Sequence, residues 1–143
     1  RYMEAAAAGT LPAWDDSNAG LRYPWCVGPA QTSLATGGYN RDLIGSGKRN
    51  TAGMVAACDS GAANSVWAYT GGGLAAGSWF LPSRDELNQH YLQRTVVGGF
   101  VEASYWTSSE VVVDGARRQL FTDGTMGLGQ KSLSNYVRPV RAF

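Results

Sequence analysis

Leu81-Pro82-Ser83-Arg84-Asp85-Glu86-Leu87 carries the firmest structural instruction in this chain, because its residue order starts a helix. Ser83 and Glu86 stand three apart, the spacing at which each side chain can bond the other's free backbone N–H. Asp85 and Glu86 also complement the positive end of a helix dipole. Leu87 and Tyr91 share a face at i, i+4, so the spacing predicts a helix over 84–93. His90, the only histidine, reads as a partly exposed residue of that helix. Ser83, Asp85 and Glu86 contain the ingredients of a carboxylate dyad, and a single His with a Ser can serve catalysis. Helix-start spacing accounts for Ser83, Asp85 and Glu86, and a partly exposed helix position for His90, so no catalytic residue is assigned and Ser83 and Glu86 are structural.

Downstream, beyond Gly98-Gly99, the pattern turns to strands. Ser104-Tyr105-Trp106 is short and aromatic, and Gln119-Leu120-Phe121 leads into Thr122-Asp123-Gly124-Thr125. Asp-Gly between extended runs is a strong hairpin signal. Asn135 to Phe143 reads as a terminal strand whose Pro139 implies an edge or a bulge. Upstream, Asn50 is placed to cap a helix over 51–58, with Met54, Val55 and Cys58 on one face. A second short helix over 62–69 is stopped by Gly71-Gly72-Gly73. Gly45-Ser46-Gly47-Lys48 misses the full spacing of a phosphate loop and reads as a turn before a helix. Residues 1–47 read as strands and loops, punctuated by Leu11-Pro12, Tyr23-Pro24, Gly28-Pro29 and Gly37-Gly38.

Composition agrees with a loop-rich fold. The 143 residues fit one domain, 1–143, long enough to bury one sizeable core. With 44% hydrophobic and 16% charged residues the chain is neither a disordered tail nor an acidic linker. A net charge of +1 gives no basic excess for nucleic acid. Nineteen glycines imply many tight turns, and 5 Trp, 7 Tyr and 4 Phe must then supply much of the core. No stretch approaches the roughly 20 apolar residues of a membrane span. The Ala run within Arg1 to Gly9 is too short for a signal peptide's central region. A chain that starts without Met reads as the C-terminal part of something longer. Cys26 and Cys58, 32 positions apart, are open to two readings: a disulfide, or two separate buried thiols. Two thiols and one His are too few for a metal site, and no cofactor is expected.

Three stretches taken together resemble one bacterial family. They are Gly77-Ser78-Trp79-Phe80 with the 81–87 helix start, Tyr105-Trp106-Thr107-Ser108-Ser109-Glu110, and Tyr136-Val137-Arg138-Pro139-Val140-Arg141-Ala142-Phe143. Arg1-Tyr2-Met3-Glu4-Ala5-Ala6, Trp25-Cys26, Ile44-Gly45-Ser46-Gly47-Lys48 with Asn50-Thr51, and Tyr69-Thr70-Gly71-Gly72-Gly73 also look like its pattern. It is the family named for the C-terminal domain of a collagen-like adhesin (the Lcl C-terminal family). The resemblance implies an α+β, C-type-lectin-like fold: short antiparallel strands, two or so helices and long ordered loops. It implies a surface-exposed or extracellular protein of bacteria or phage that adheres or binds a ligand. Homotrimer assembly and binding of sulfated glycosaminoglycans follow from the adhesin, and a hypermutated C-terminal segment from the variable proteins of diversity-generating retroelements. The triplets of calcium-dependent sugar lectins are missing, and so is the C-terminal cysteine pair of the formylglycine-generating enzymes, which leaves an enzyme of that kind a remote alternative. For an exported family with an even cysteine count, the expectation is a Cys26–Cys58 disulfide.

Trp106-Thr-Ser-Ser-Glu110 reads as structural: the aromatics should bury, and a buried carboxylate needs a partner. Arg138 and Arg141 are the expected partners for Glu110, since guanidinium gives bidentate bonds to carboxylate. Between Glu110 and Tyr136 only Ala116, Phe121, Gly124 and Lys131 read as scaffold. The rest is chemically mixed, with apolar Val112, Met126 and Leu128 beside Arg117 and Arg118, as in a recognition patch. The expected ligand site is therefore Arg117, Arg118, Thr122, Asp123, Thr125, Met126, Leu128, Lys131 and Ser132. Most of these should share one exposed face of the hairpin, with Arg117, Arg118 and Lys131 supplying positive charge. The ligand is a sulfated polysaccharide in one reading and a surface protein in the other, with neither nucleic acid nor membrane insertion involved.

Overall fold

The computed structural model describes residues 2–7, 22–36 and 42–143. Arg1 and the Leu11-Pro12 and Gly37-Gly38 turns lie outside the described residues. The class is α+β, with helices and small antiparallel sheets. Helices α1 (Gly47–Ala57), α2 (Ala62–Trp67), α3 (Arg84–Leu92) and α4 (Arg94–Val97) precede most of the strands. Strand β1 (Met3–Ala5) pairs with β7 (Val140–Ala142), and β2 (Tyr23–Pro24) with β6 (Ser134–Asn135). The main sheet is β3 (Ser104–Val112), β4 (Gly115–Leu120) and β5 (Met126–Gln130), in that order.

Helix α3 begins where the sequence places it. The Ser83 hydroxyl accepts from the Glu86 N–H at 3.4 Å and donates to the Leu43 carbonyl at 2.9 Å. Helix α1, by contrast, starts at Gly47, ahead of the expected Asn50 cap. The reason is long-range: the Glu86 carboxylate accepts from the Gly47 N–H at 2.7 Å and so caps α1 from another helix. Asn50 is then an interior, buried residue whose amide donates to the Ser108 hydroxyl at 3.3 Å. The terminal segment also differs from a single strand. It splits into β6 and β7, because Pro139 has no N–H for a ladder and the chain between them buries Val137 and Arg138.

Two aromatic cores flank the sheet. The larger gathers Trp25, Met54, Val66, Trp79, Leu81 and Trp106 between the sheet, α1 and α2. The smaller joins Leu87 of α3 to Tyr105 and Phe121, with Tyr91 and Phe100 against them. Tyr91 meets Phe121 edge-on at 5.3 Å, a favoured aromatic geometry. Cys26 and Cys58 are bonded to each other, with Cα atoms 5.4 Å apart. The bond ties the loop after β2 to the end of α1, where Val27 and Ser60 form an isolated bridge.

Candidate ligand-recognition surface

The hairpin at Asp123-Gly124 is β4–β5, with Gln119 opposite Met126, Arg117 opposite Leu128 and Gly115 opposite Gln130. Its tip is fixed by local chemistry. Asp123 Oδ1 accepts from the Thr125 N–H at 2.8 Å, and the Thr125 hydroxyl, followed by this bond, holds the Asp123 carboxyl below its ordinary range. Gly124 has φ +84°, and a Cβ there would fall 2.4 Å from the Tyr91 ring, so only glycine fits. Buried Gln119 donates to Asn88 of α3 at 2.8 Å and to the Gly124 carbonyl at 3.1 Å, which ties the tip to the helix. The sequence reading gave Gln119 no role. A polar residue inside a mixed segment carries no signal for a partner 31 positions away.

The expected site residues do not form one face. Strand side chains alternate, so Arg117 and Arg118 point to opposite sides of the sheet. Arg117 shares its side with Leu128 and Met126 and lies 3.6 Å from Asp42, an ion pair beyond hydrogen-bond reach. Asp42 also takes Arg84 at 2.9 Å, and Arg84 takes Asp85 at 2.8 Å. Arg118 lies on the other side, near Trp106 and Gly129, with its guanidinium 3.5 Å from the Asn135 amide oxygen. Thr122, Asp123 and Thr125 are exposed at the tip. Ser132 is exposed too, but it follows the far end of β5, a strand's length of about 16 Å from the tip.

Lys131, expected both as scaffold and as a source of positive charge for the ligand, is buried as scaffold and presents no charge at the surface. Its side chain and that of Glu110 are both 0% exposed, with Nζ 2.6 Å from Glu110 Oε2. The ammonium also donates to the carbonyls of Ala30, Ser33 and Val113 at 2.8–2.9 Å. Glu110 in turn accepts from the Ala35 and Thr36 N–H groups and the Thr36 hydroxyl at 2.7–2.9 Å. Burial pushes the Glu110 carboxyl up, but Lys131 and these donors outweigh it and hold it below its ordinary range. The partner of Glu110 is thus neither Arg138 nor Arg141. Arg138 is buried and donates instead to the carbonyls of Ala6, Gly98 and Gly99. Arg141 pairs with Glu4 at 2.6 Å across the β1–β7 ladder and stacks toward Trp79.

The Glu110–Lys131 pair sits beneath the turn between β3 and β4, and that end of the sheet carries an apolar patch. Val112 and Leu128, 42% and 54% exposed, flank Gly115, where a Cβ would lie 3.0 Å from each. Val113 and Leu133 are exposed nearby in sequence. Gly115 keeps the two side chains close without a branch between them. The rim is the Arg117–Asp42–Arg84–Asp85 chain, in which two positive and two negative groups balance. His90, expected to be partly exposed, is buried instead, and burial followed by the charge of Arg138 lowers its pKa to about 4. Among the described residues no group of three or more His, Cys, Asp or Glu could hold a metal ion, and no helix is long and apolar enough to cross a membrane. No family model matches the chain, and no curated protein matches it.

Proposed function

We propose that this chain is a C-type-lectin-like recognition domain of an exported or cell-surface protein, and that it binds a protein ligand through the β3–β4–β5 face around Gly115. The observation that carries this reading is the pair of exposed apolar side chains, Val112 and Leu128, set on a rigid base and rimmed by balanced charges. An apolar centre with a polar rim is the anatomy of a protein interface. The rigid base is the buried Glu110–Lys131 pair, which anchors the end of the sheet to the 30–36 loop. Export is supported by the Cys26–Cys58 bond, of a kind that persists in oxidising compartments. Closure of β1 on β7 and the long connection 68–83 between α2 and α3 agree with the C-type-lectin-like class.

A sulfated glycan fits this face less well. Of the three cations nominated for it, Lys131 is buried, Arg118 faces away and Arg117 is already beside Asp42. Enzymatic chemistry remains a remote alternative that rests on fold kinship alone. Two assays run side by side test the proposal: retention on heparin at rising salt, and capture of surface proteins with the wild type and a Val112→Asp, Leu128→Asp double variant. The expected outcome is weak heparin retention and a captured protein that the variant loses. Strong retention that falls steeply with salt and survives the double substitution would replace this reading with the glycan one.

A further inference from the structure

The β1–β7 ladder has one open side. Tyr2 and Phe143 exchange both backbone bonds, at 2.9 and 3.0 Å, and the Ala6 N–H donates to the Pro139 carbonyl at 2.8 Å. Antiparallel pairs alternate between bonded and non-bonded positions. Met3, opposite Ala142, and Ala5, opposite Val140, therefore turn their N–H and C=O groups away from β7. On the far side of β7, Val140 exchanges both of its bonds with Phe80, at 2.8 and 2.9 Å, so that edge is closed. Among the described residues nothing bonds the outward groups of Met3 and Ala5.

A groove of about 600 Å³ runs along this edge, lined by Tyr2, Met3, Glu4, Ala5, Val97 and Phe143. Four consecutive residues line it although strand side chains alternate between faces, so the groove follows the edge rather than either face. Val97, at the end of α4, is the wall across from them. Arg138 holds it there, donating to the Ala6 carbonyl and to the Gly98 and Gly99 carbonyls just past Val97. We propose that this groove binds an extended peptide segment of a partner protein, which adds to β1 as a further strand. The open edge itself names the occupant: donors and acceptors repeating at strand spacing are satisfied in full only by another extended backbone. A second copy of this chain fits less well. The antiparallel register that joins Met3 and Ala5 of one copy to Ala5 and Met3 of the other sets Glu4 opposite Glu4, and like charges directly opposite are destabilising. The edge belongs to a different sheet from the Val112–Leu128 face, so the proposal does not depend on the ligand proposed there.

The probe is a fluorescein-labelled peptide of alternating threonine and valine, whose β-branched residues favour the extended form, followed by fluorescence anisotropy. Saturable binding to the folded protein is expected. The valine side chains fix which way the strand faces, and only alternate N–H groups of an added strand point at β1. Methylating the valine nitrogens in one peptide and the threonine nitrogens in another should therefore abolish binding in one case only. On the protein, Ala5→Pro removes an N–H that faces the groove, which an edge strand tolerates. It should melt close to the wild type yet bind the probe at least about tenfold more weakly. Glu4→Pro removes an N–H that points into the ladder and should lower the melting temperature. Val97→Lys, at a position 37% exposed on the facing wall, leaves β1 untouched and should weaken the probe likewise. The proposal is overturned by no saturable binding, by equal effects of the two methylation patterns, or by Ala5→Pro melting as low as Glu4→Pro. Unchanged binding by Val97→Lys overturns it too. Self-association at rising concentration that Ala5→Pro abolishes would give the edge to a second copy instead.

Discussion

Replacing Glu110 by Ala removes the centre of the network that anchors the end of the sheet. Lys131 would keep its three carbonyl partners but lose its counter-charge while its side chain stays at 0% exposure. Stranding one member of a buried pair typically costs 3–5 kcal/mol. The Ala35 and Thr36 N–H groups also lose their acceptor, each worth about 1–3 kcal/mol if it stays dry. Both residues are partly exposed, so water can reach them and the low end applies. The expected loss is therefore about 4 kcal/mol, and no less than about 3. Urea denaturation monitored by tryptophan fluorescence gives the number. A second variant makes the cause separable. Lys131→Met in the Glu110→Ala background removes the stranded charge, and part of the stability should return even though three carbonyls lose their donor. The double variant should be more stable than the Glu110→Ala single by about 1 kcal/mol or more. A single variant that loses less than about 1 kcal/mol, or a double that is weaker than the single, would refute the buried-pair account.

Three further outcomes follow from the same geometry. His90 is held neutral in the fold down to about pH 4 against an ordinary 6.5, so the unfolded chain binds more protons in that window and stability falls as pH drops through it. The loss is on the order of 3 kcal/mol; lowered Glu110 adds to it at lower pH and raised Glu86 opposes it, so the check is a comparison with His90→Phe, whose urea midpoint should decline less between pH 6.5 and 4. Reducing the Cys26–Cys58 bond, which closes a separation of 32 residues, should lower stability by about 3–4 kcal/mol on the chain-entropy account, read as a fall in melting temperature with reductant that a Cys26→Ala, Cys58→Ala variant does not show. Gly129→Ala would put a Cβ 2.8 Å from the Trp106 ring, whereas Gly127→Ala meets nothing within 4 Å; the first should cost about 1–3 kcal/mol by overpacking and the second well under 1, and equal effects would mean the ring does not lie against Gly129.

What the sequence made legible was local. The Ser83–Glu86 helix start, the Asp123-Gly124 hairpin and the burial of Tyr105 and Trp106 all follow from spacing or side-chain chemistry within a few residues. What it hid was long-range. Glu86 caps a helix 39 positions upstream, and that moves the start of α1 to Gly47. Glu110 had an obvious need for a cation, but nothing in the pattern distinguishes Arg138, Arg141 and Lys131 as its source. Arg is the usual choice for a planar bidentate contact. Here one carboxylate oxygen and three carbonyls converge on a single point, and that geometry suits a compact ammonium. The candidate face was misread for a related reason. The Asp123-Gly124 turn does bring residues on its two sides together across the pair, but a strand sends consecutive side chains to opposite faces, so Arg117 and Arg118 part.

The interior cations explain why counting basic residues overstates what this surface can attract. A loop-rich chain leaves many main-chain carbonyls without a ladder partner, and each buried one must find a donor. Lys131 serves Ala30, Ser33 and Val113, and Arg138 serves Ala6, Gly98 and Gly99. The tryptophans do the same from the core, with the indole N–H of Trp25, Trp79 and Trp106 donating to Thr107, Gly71 and Tyr23 carbonyls. Glycine-rich loops, abundant aromatics and buried cations are therefore one solution: long side chains with donors at their tips cross the core and hold irregular backbone in place. Half-buried Arg84 and Arg117 are matched by Asp42 and Asp85 in turn. Little unpaired positive charge is left beside the Val112–Leu128 patch, and a ligand that docks there has to gain most of its affinity from apolar contact and shape.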